Sequence, residues 1–164
     1  MNDALEIRQI QANEFGLLWP IFRAVVSDGD TYSYAPDISF EDARGLWTSG
    51  GVRCFVALLG GDCVGGYMLR ANQPGLGNHV ANCGYMVAPA ARGRGIASAM
   101  CEHSLLQARE AGFTAMQFNF VVSTNEVALR LWQKHGFAIV GRIPGGFRHA
   151  RLGAVDALIM HRHL

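Results

Sequence analysis

Charged residues are scarce in this chain of 164 residues: only 16% are Asp, Glu, Lys or Arg, and the formal net charge is +1 at pH 7. A chain this close to neutral has no general electrostatic attraction for nucleic acid or for an anionic membrane surface. Its arginines stand in local groups rather than in one basic stripe. We therefore expect neither a nucleic-acid partner nor a membrane partner.

Long hydrophobic runs are also missing, since no stretch reaches the roughly 18 apolar residues of a membrane-spanning helix. The N-terminus lacks the basic, apolar and small-residue sequence of a secretory signal. We therefore expect a cytoplasmic protein. Half of the residues are hydrophobic, and a chain of this length is most simply one domain over residues 1–164.

The four cysteines do not have the paired spacing of a metal site, since they stand at positions 54, 63, 83 and 101. Cys54 and Cys63 flank a glycine turn, so a disulfide between them is geometrically conceivable. In a cytoplasmic protein the reduced, buried thiol is the expected state. We predict that the chain uses no metal.

A short segment of glycine and arginine lies between an apolar run and an amphipathic pattern. Residues 80–87 are apolar apart from Asn82 and Gly84, and a helical pattern covers residues 97–111. Glycines let backbone N–H groups turn toward one point, and a helix start adds unpaired N–H groups and a positive dipole end. The segment predicts a diphosphate cradle, with Arg92 and Arg94 as neighbouring cations. No Gly-Lys-Ser/Thr follows, so it is not a nucleotide P-loop.

Three motifs, in this order, resemble the GNAT superfamily of acetyl-CoA-dependent N-acetyltransferases. The loop Arg92-x-x-Gly95-x-Ala97 is similar to the (Arg/Gln)-x-x-Gly-x-(Gly/Ala) loop of that superfamily. It is preceded by Gly84-Tyr85-Met86-Val87-x-Pro89. It is followed by Asn125-Glu126-x-Ala128-x-x-Leu131-Trp132-x-x-x-Gly136-Phe137, which resembles the second cofactor segment. The resemblance covers about residues 80–140.

The resemblance implies a fold of the α/β class, called α+β in some schemes. It implies a mixed, mostly antiparallel central sheet flanked by about four helices. Two neighbouring parallel strands, at residues 80–87 and 114–122, are expected to splay apart at its centre. The pantetheine arm of acetyl-CoA is expected to lie in the gap between them.

The resemblance also implies acetyl-CoA as the co-substrate and assigns residues to it. The backbone N–H of Val87 is expected to donate to the thioester oxygen, where charge develops during attack by the amine. The residues expected to contact acetyl-CoA are Met86, Val87, Arg92, Gly93, Arg94, Gly95, Ile96, Ala97, Asn125 and Trp132.

Two positions depart from the superfamily's common pattern. Where many members have a glutamate that relays the amine proton, this chain has Asn82. Where many have a tyrosine that protonates the leaving thiolate, it has Trp132. An amide is no base near neutral pH, and an indole only donates hydrogen bonds. The usual base and the usual acid are therefore both absent.

Three interpretations follow from these departures. In the first, Asn82 and Asn119 orient the amine on the two splayed strands, in a pattern similar to that of fungal N-acetyltransferases acting on proline analogues such as azetidine-2-carboxylate. In the second, Asp30, His79 or His149 is the base, histidine having the most suitable pKa. In the third, catalysis has been lost and the fold only binds acyl-CoA.

The polar, aromatic segment at residues 28–37 is the candidate acceptor wall. In GNAT-like folds the connection between the first two helices borders the acceptor site, and here it carries two carboxylates and two tyrosines that would suit a small polar amine. We expect Asp30, Tyr32 and Tyr34 to point inward. His149, in a glycine-rich segment near the C-terminus, is a further candidate for acceptor binding, and Arg148 or Arg151 could bind an acceptor carboxylate bidentately.

Periodicity predicts the outer elements. Residues 5–10 alternate as a half-buried strand, Asn13 is expected to cap a helix that runs to about Val26, and Ser39-x-x-Asp42 predicts the start of a helix. Residues 52–59 and 63–70 predict a hairpin. Strands are expected at residues 137–141 and 155–160, with a glycine-rich loop at residues 142–150 between them.

The sequence thus predicts an enzyme that transfers acetyl from acetyl-CoA to the amine of a small molecule, such as an amino acid or proline analogue. Two alternatives stay open: acetylation of a protein N-terminus or lysine, and non-catalytic acyl-CoA binding. GNAT-like proteins are often dimers, so a homodimer is also expected.

Overall fold

The computed structural model describes residues 4–164, which form seven strands and four α-helices. The strands are β1 (Leu5–Ile10), β2 (Arg53–Leu59), β3 (Asp62–Ala71), β4 (Val80–Val87), β5 (Ala115–Val122), β6 (Ala138–His149) and β7 (Gly153–His163). The helices are α1 (Trp19–Ser27), α2 (Phe40–Thr48), α3 (Ile96–Glu110) and α4 (Glu126–Lys134). Short 3-10 segments cover Ala12–Leu17, Gly75–Gly77 and Pro89–Ala91.

All seven strands form one sheet in the order β1-β2-β3-β4-β5-β7-β6. Every neighbouring pair is antiparallel except β4 and β5, which are parallel. The parallel pairing runs from Val80↔Ala115 to Asn82↔Gln117 and then stops, although both strands continue for five more residues. The predicted fold class and the splayed central strands are therefore confirmed.

Helices cover both faces of the sheet. One core cluster contains Met100 and Leu105 of α3 together with Trp132 of α4. The other contains Phe22 of α1 and Trp47 of α2, both fully buried. Burying each large apolar side chain contributes about 1.5–3 kcal/mol, which holds the helices against the sheet. The two layers leave the gap between β4 and β5 open at one end.

The first helix begins later than predicted. Asn13 lies inside the 3-10 segment rather than at a helix cap, and Gln11 forms the cap with Glu14. The α-helix starts at Trp19, so Pro20 stands in its first turn. Proline is tolerated there because an N–H in the first turn has no partner within the helix.

The predicted glycine-rich loop at residues 142–150 is wrong, because most of it is strand β6. The pairing with β7 changes register between Ile143 and Phe147, so β6 bulges at that point. Asp156 of β7 stabilises the bulge by accepting the Gly145 N–H at 2.9 Å and pairing with the Arg142 guanidinium at 2.6 Å. A bulge lets a strand pass through glycine and proline without losing its partner.

Candidate active site

A cleft of about 1010 Å³ opens where β4 and β5 part. Among the residues that the sequence singled out, its walls include Asp30, Tyr32, Tyr34, Asn82, Met86, Val87, Arg92, Gly93, Gly95, Ile96, Ala97, Asn119, Asn125 and Trp132. Three candidates, Arg94, His149 and His79, are not in these walls. The cleft joins the glycine loop, the splayed strands and the tyrosine segment.

The backbone of β4 faces the cleft at alternate residues. The Asn72 N–H donates to the Val80 carbonyl at 2.8 Å, and the Ala88 N–H donates to the Val64 carbonyl at 2.8 Å. Both of these bonds are made at even-numbered positions. In an antiparallel ladder, alternate residues of a strand bond to the same neighbouring strand, so even-numbered β4 residues bond to β3 and the backbone groups of odd-numbered ones point away from β3. The N–H of Val87 therefore points into the gap beyond the last β5 pair, while the Met86 backbone pairs with β3.

The glycine loop leaves its backbone accessible. Gly93 and Gly95 have φ values of +74° and +76°, and a Cβ built on either would meet nothing within 4 Å. Gly95 is the N-cap of α3, and no side chain caps the helix start. The first N–H groups of α3 are thus free to bind an anion. Arg92 lines the cleft beside them.

Trp132 lies in an aromatic cluster behind the gap. Its ring centroid is 4.8 Å from that of Tyr85 and 5.0 Å from that of Phe118. The Tyr85 hydroxyl is 2.6 Å from the Ser104 hydroxyl in the core, and burial raises the pKa of Tyr85 well above its usual range. Neither aromatic residue therefore has the properties of an acid for a leaving thiolate.

Asn125 has a structural function that accounts for its position. Its side-chain oxygen accepts the Ala128 N–H at 3.3 Å, as expected of the N-cap of α4. The residue also lines the cleft, so capping and ligand contact are compatible.

Two stacked tyrosines form one wall of the cleft. The Tyr32 hydroxyl donates to the Tyr85 carbonyl at 2.6 Å, and its ring lies 5.6 Å from that of Tyr34. The Tyr34 hydroxyl accepts the indole N–H of Trp47 at 3.1 Å. Burial raises the pKa of both tyrosines, and for Tyr34 the Trp47 hydrogen bond and, to a smaller extent, the nearby Arg70 charge partly offset this rise. Both hydroxyls are therefore neutral over the physiological pH range.

The turn between β6 and β7 packs against this tyrosine segment. The Ala150 N–H donates to the Gly29 carbonyl at 2.9 Å, and the Arg151 guanidinium pairs with Asp30 at 3.4 Å. Gly29 has φ +64°, and a Cβ there would lie 2.9 Å from the Ala150 Cβ, so this close approach requires glycine. The loop after α1 is thereby held against the β6–β7 turn.

His149 lies in that turn and lines a smaller cavity of about 270 Å³ with Asp30 and Asn125. It is buried, and its Nδ1 accepts the backbone N–H groups of Arg151 at 3.1 Å and Leu152 at 3.2 Å. Nδ1 is therefore the acceptor nitrogen, and the proton of the neutral ring is on Nε2. This geometry favours a hydrogen-bond donor rather than a base.

Asn82 is buried at the point where the two strands part, and both of its polar atoms have protein partners. Its amide nitrogen donates to the Gln117 carbonyl of β5 at 3.0 Å. Its amide oxygen accepts from Nε of Arg70 on β3 at 3.3 Å. Arg70 also lines the cleft, and it was not among the site residues predicted from the sequence. The feature that points to Arg70 is its position opposite Asn82 in the sheet, and this position is known only when the strand pairing is known.

Asn119 lies where β5 bulges, since the register with β7 shifts between Phe118 and Val121. Its amide nitrogen donates to the Asn72 side chain at 2.6 Å, and its oxygen accepts from Gln117 at 3.0 Å. The side chain is exposed at the cleft mouth. Asn119 thus belongs to a surface amide cluster at the edge of the cleft.

Ligand sets for metals are not found in the described part of the chain, residues 4–164, where no three His, Cys, Asp or Glu side chains could hold an ion. Within the same residues no helix is long and apolar enough to cross a membrane. The four cysteines are free thiols, and burial raises the pKa of Cys54, Cys83 and Cys101 to about 12 each. A homodimer and a cytoplasmic location stay predictions.

Comparison with known proteins gives one family. Residues 13–137 match the model described as the acetyltransferase (GNAT) family. N-acetyltransferase aca1 of Schizosaccharomyces pombe is 34% identical over 101 residues, which are 61% of this chain and 48% of that protein. The chain therefore spans about half the length of this curated relative.

Solved structures agree with the family match. A GCN5-related N-acetyltransferase from Kribbella flavida is 42% identical, with a TM-score of 0.92 and 98% of each chain covered. The structure of yncA from Salmonella typhimurium with its cofactor acetyl-CoA is 19% identical, with a TM-score of 0.81 over 98% of this chain and 94% of that one. At that identity the second likeness concerns the fold alone.

Proposed function

We propose, from the premise that this chain belongs to the acetyltransferase (GNAT) family, that it transfers acetyl from acetyl-CoA to the amine of a small molecule such as an amino acid or proline analogue. One observation carries the proposal: a single cleft runs from the glycine loop, through the gap between β4 and β5, to the tyrosine wall. It offers one end for a phosphorylated cofactor and the other for an acceptor.

The glycine-loop end fits the diphosphate of acetyl-CoA. The uncapped N-terminus of α3 and the open backbone at Gly93 and Gly95 supply N–H donors without a side chain in the way. Arg92 supplies a cation at the same end. Farther along, Val87 and Trp132 border the gap, which supports them as contacts for the pantetheine arm.

Acetyl-CoA supplies an acetyl group activated as a thioester: the amine nitrogen bonds to the carbonyl carbon, the C–S bond breaks, and the amine proton ends on the CoA thiol. The Val87 N–H is directed to donate to the carbonyl oxygen as it gains charge. Losing one such donor costs roughly 100- to 1000-fold in rate. Holding the amine in the cleft beside it contributes through alignment.

The amine proton needs an acceptor before it reaches the CoA thiol, and the lining of the two cavities separates the three candidate residues. Asp30 lines both cavities, His149 lines only the smaller one with Nδ1 already engaged, and His79 lines neither. We assign proton acceptance to Asp30 or to water that it orients. Asn82 has both polar atoms engaged, which supports a positioning role for it.

The contacts that hold the β6–β7 turn against the loop after α1 support a small acceptor over a protein. A peptide needs an open groove, whereas here the turn carrying Ala150 and Arg151 is bonded to the loop carrying Gly29 and Asp30. Acetylation of a protein N-terminus or lysine is the alternative within enzymes, and it predicts product from short peptides.

Non-catalytic acyl-CoA binding is the alternative that Asn82 and Trp132 favour, because they replace the usual base and acid. The test is release of CoA from acetyl-CoA in the presence of amino acids, proline analogues, polyamines or short peptides. It is followed by mass spectrometry, because a thiol dye would also react with the free cysteines of the protein. We expect amine-dependent release with small acceptors. Calorimetric binding of acetyl-CoA without release for any acceptor would support the binding protein instead.

A further inference from the structure

Arg70 is a cation in the acceptor half of the cleft whose position the proposed transfer does not explain. It lies near the end of β3, directly across from Asn82 on β4, and its side chain is exposed on the cleft wall. Its charge acts on the Tyr34 hydroxyl, so it is close to the tyrosine wall.

The Arg70 side chain is held at one nitrogen and open at the other two. Its Nε donates to Oδ1 of Asn82 at 3.3 Å, and Asn82 in turn donates to the Gln117 carbonyl at 3.0 Å. Asn82 is buried, so it orients the guanidinium from a fixed point where the two strands part. The Nη1 and Nη2 atoms make no hydrogen bond within residues 4–164.

The Arg70 charge is also uncompensated. The five ion pairs of the described residues do not include it. Asp30, a carboxylate in the same walls, is paired with Arg151 at 3.4 Å. A glutamate at position 82 would have placed a carboxylate beside this guanidinium. With asparagine there, the site keeps a fixed cation with a free fork of N–H donors.

A planar fork of N–H groups matches the two oxygens of a carboxylate. Tyr34 and Met68 provide an apolar surface in the same part of the cleft. We propose that Arg70 binds the carboxylate of the acceptor, which makes the substrate class α-amino acids, cyclic ones included, rather than simple amines. This inference rests on the proposed acetyl transfer. Arg70 is its specificity residue, and Asn82 is the residue that positions Arg70.

The test compares acceptors that differ only by a carboxylate: L-proline with pyrrolidine, azetidine-2-carboxylate with azetidine, and L-alanine with ethylamine. Wild-type protein is expected to acetylate an acid far better than its amine. Arg70→Gln is expected to raise KM for the acid by about 10- to 100-fold, the range for a lost charged hydrogen-bond pair. KM for the matched amine and Kd for acetyl-CoA are expected to stay within about twofold.

Arg109→Gln is the matched control, because Arg109 is an exposed arginine in the last turn of α3. It is expected to behave as wild type. Arg70→Lys keeps the charge without the fork, so it should recover only part of the lost affinity.

The inference is overturned if wild type acetylates acid and amine equally, or if Arg70→Gln weakens both alike. It is also overturned if only peptides or polyamines give product, although acetyl transfer would then stand. If wild type, saturated with CoA, binds no acid by calorimetry and yields no product, the inference fails. If acetyl-CoA itself does not bind, the proposed function fails with it.

Discussion

The two ends of the cleft are built in different ways. The glycine-loop end comes from one continuous segment, residues 92–98, and offers backbone N–H groups at the start of α3. The acceptor end is assembled from side chains of distant segments: Tyr32 bonds to the Tyr85 carbonyl, and Arg70 reaches Asn82. On the proposed function the first would bind a group that every acyl-CoA carries, whereas the second can change with single side chains.

From this difference we expect cofactor binding and acceptor choice to be separable in this protein. Changes in the loop should affect the affinity for acetyl-CoA and leave acceptor preference alone. Changes at Tyr32, Arg70 or Asn82 should do the reverse. The following variants test that separation.

Gly95→Glu should have the largest effect. A non-glycine residue at φ +76° is strained, and the new carboxylate would repel phosphate at the helix N-terminus. We expect Kd for acetyl-CoA to rise more than about 100-fold by calorimetry. Gly112→Glu is the matched control, because Gly112 has φ +87° at the other end of α3 with the same open surroundings. Equal loss of affinity in both variants would contradict the cradle.

Asn82→Asp should change the acceptor end instead. It places a carboxylate beside Arg70 and removes the amide donor to the Gln117 carbonyl. KM for acid acceptors is expected to rise at least about 10-fold as the Arg70 charge is neutralised, with the affinity for acetyl-CoA unchanged. An equal rise of KM for the matched amines that lack the carboxylate, such as azetidine, would show that Asn82 acts on the amine and not through Arg70.

Tyr32→Phe tests what holds the tyrosine wall. The variant leaves the Tyr85 carbonyl without its hydroxyl donor, a loss of roughly 1–3 kcal/mol in the free energy of unfolding. Urea denaturation would measure the loss, and steady-state kinetics should show a higher KM for the acceptor. An unchanged unfolding free energy would mean that this hydrogen bond does not anchor the loop.

Asp156→Asn should have the smallest effect, because Asp156 stabilises the bulge in β6 and does not itself contact the acceptor loop. The Gly145 N–H and the Arg142 guanidinium lower the pKa of Asp156 below its ordinary value of 3.8. A lowered carboxyl pKa stabilises the fold above the unfolded-state value and is lost as pH falls through the folded-state value. Wild type should therefore exceed the variant in Tm at pH 7, with the difference shrinking at acidic pH.

Glu14 provides an internal comparison for that experiment. Its pKa is lowered by the Gln11 N–H and by Arg8, so it also contributes acid sensitivity. Both proteins keep it, so some loss of stability toward acid should be common to the two. A Tm difference that is constant with pH would contradict the linkage at Asp156.

Local signals made the glycine-loop end predictable. The apolar run ending at Val87, the glycines of the loop and the cap at Asn125 are read from neighbouring residues, and β4 has the predicted bounds. The acceptor end could be predicted only in part. Tyr32 and Tyr34 line the cleft wall, but no local pattern identifies Arg70, because its proposed role depends on the partner that strand pairing sets opposite it.

The later part of β6 was missed for the same reason, although a strand was predicted at residues 137–141. Its glycines indicate a loop when read locally, and only the pairing with β7, through Asp156, makes the bulged strand stable. His149 was placed in a loop and instead ends that strand, with Nδ1 fixed by two backbone N–H groups. Long-range hydrogen bonds decided each of these cases.

The most direct test of acetyl transfer to a small amino acid is product analysis by mass spectrometry in one mixture. The protein would be incubated with acetyl-CoA and equal amounts of azetidine-2-carboxylate, azetidine and a short peptide. We expect the N-acetylated acid to be the dominant product. Bound acetyl-CoA with no acetylated product, or with acetylated peptide alone, would contradict it.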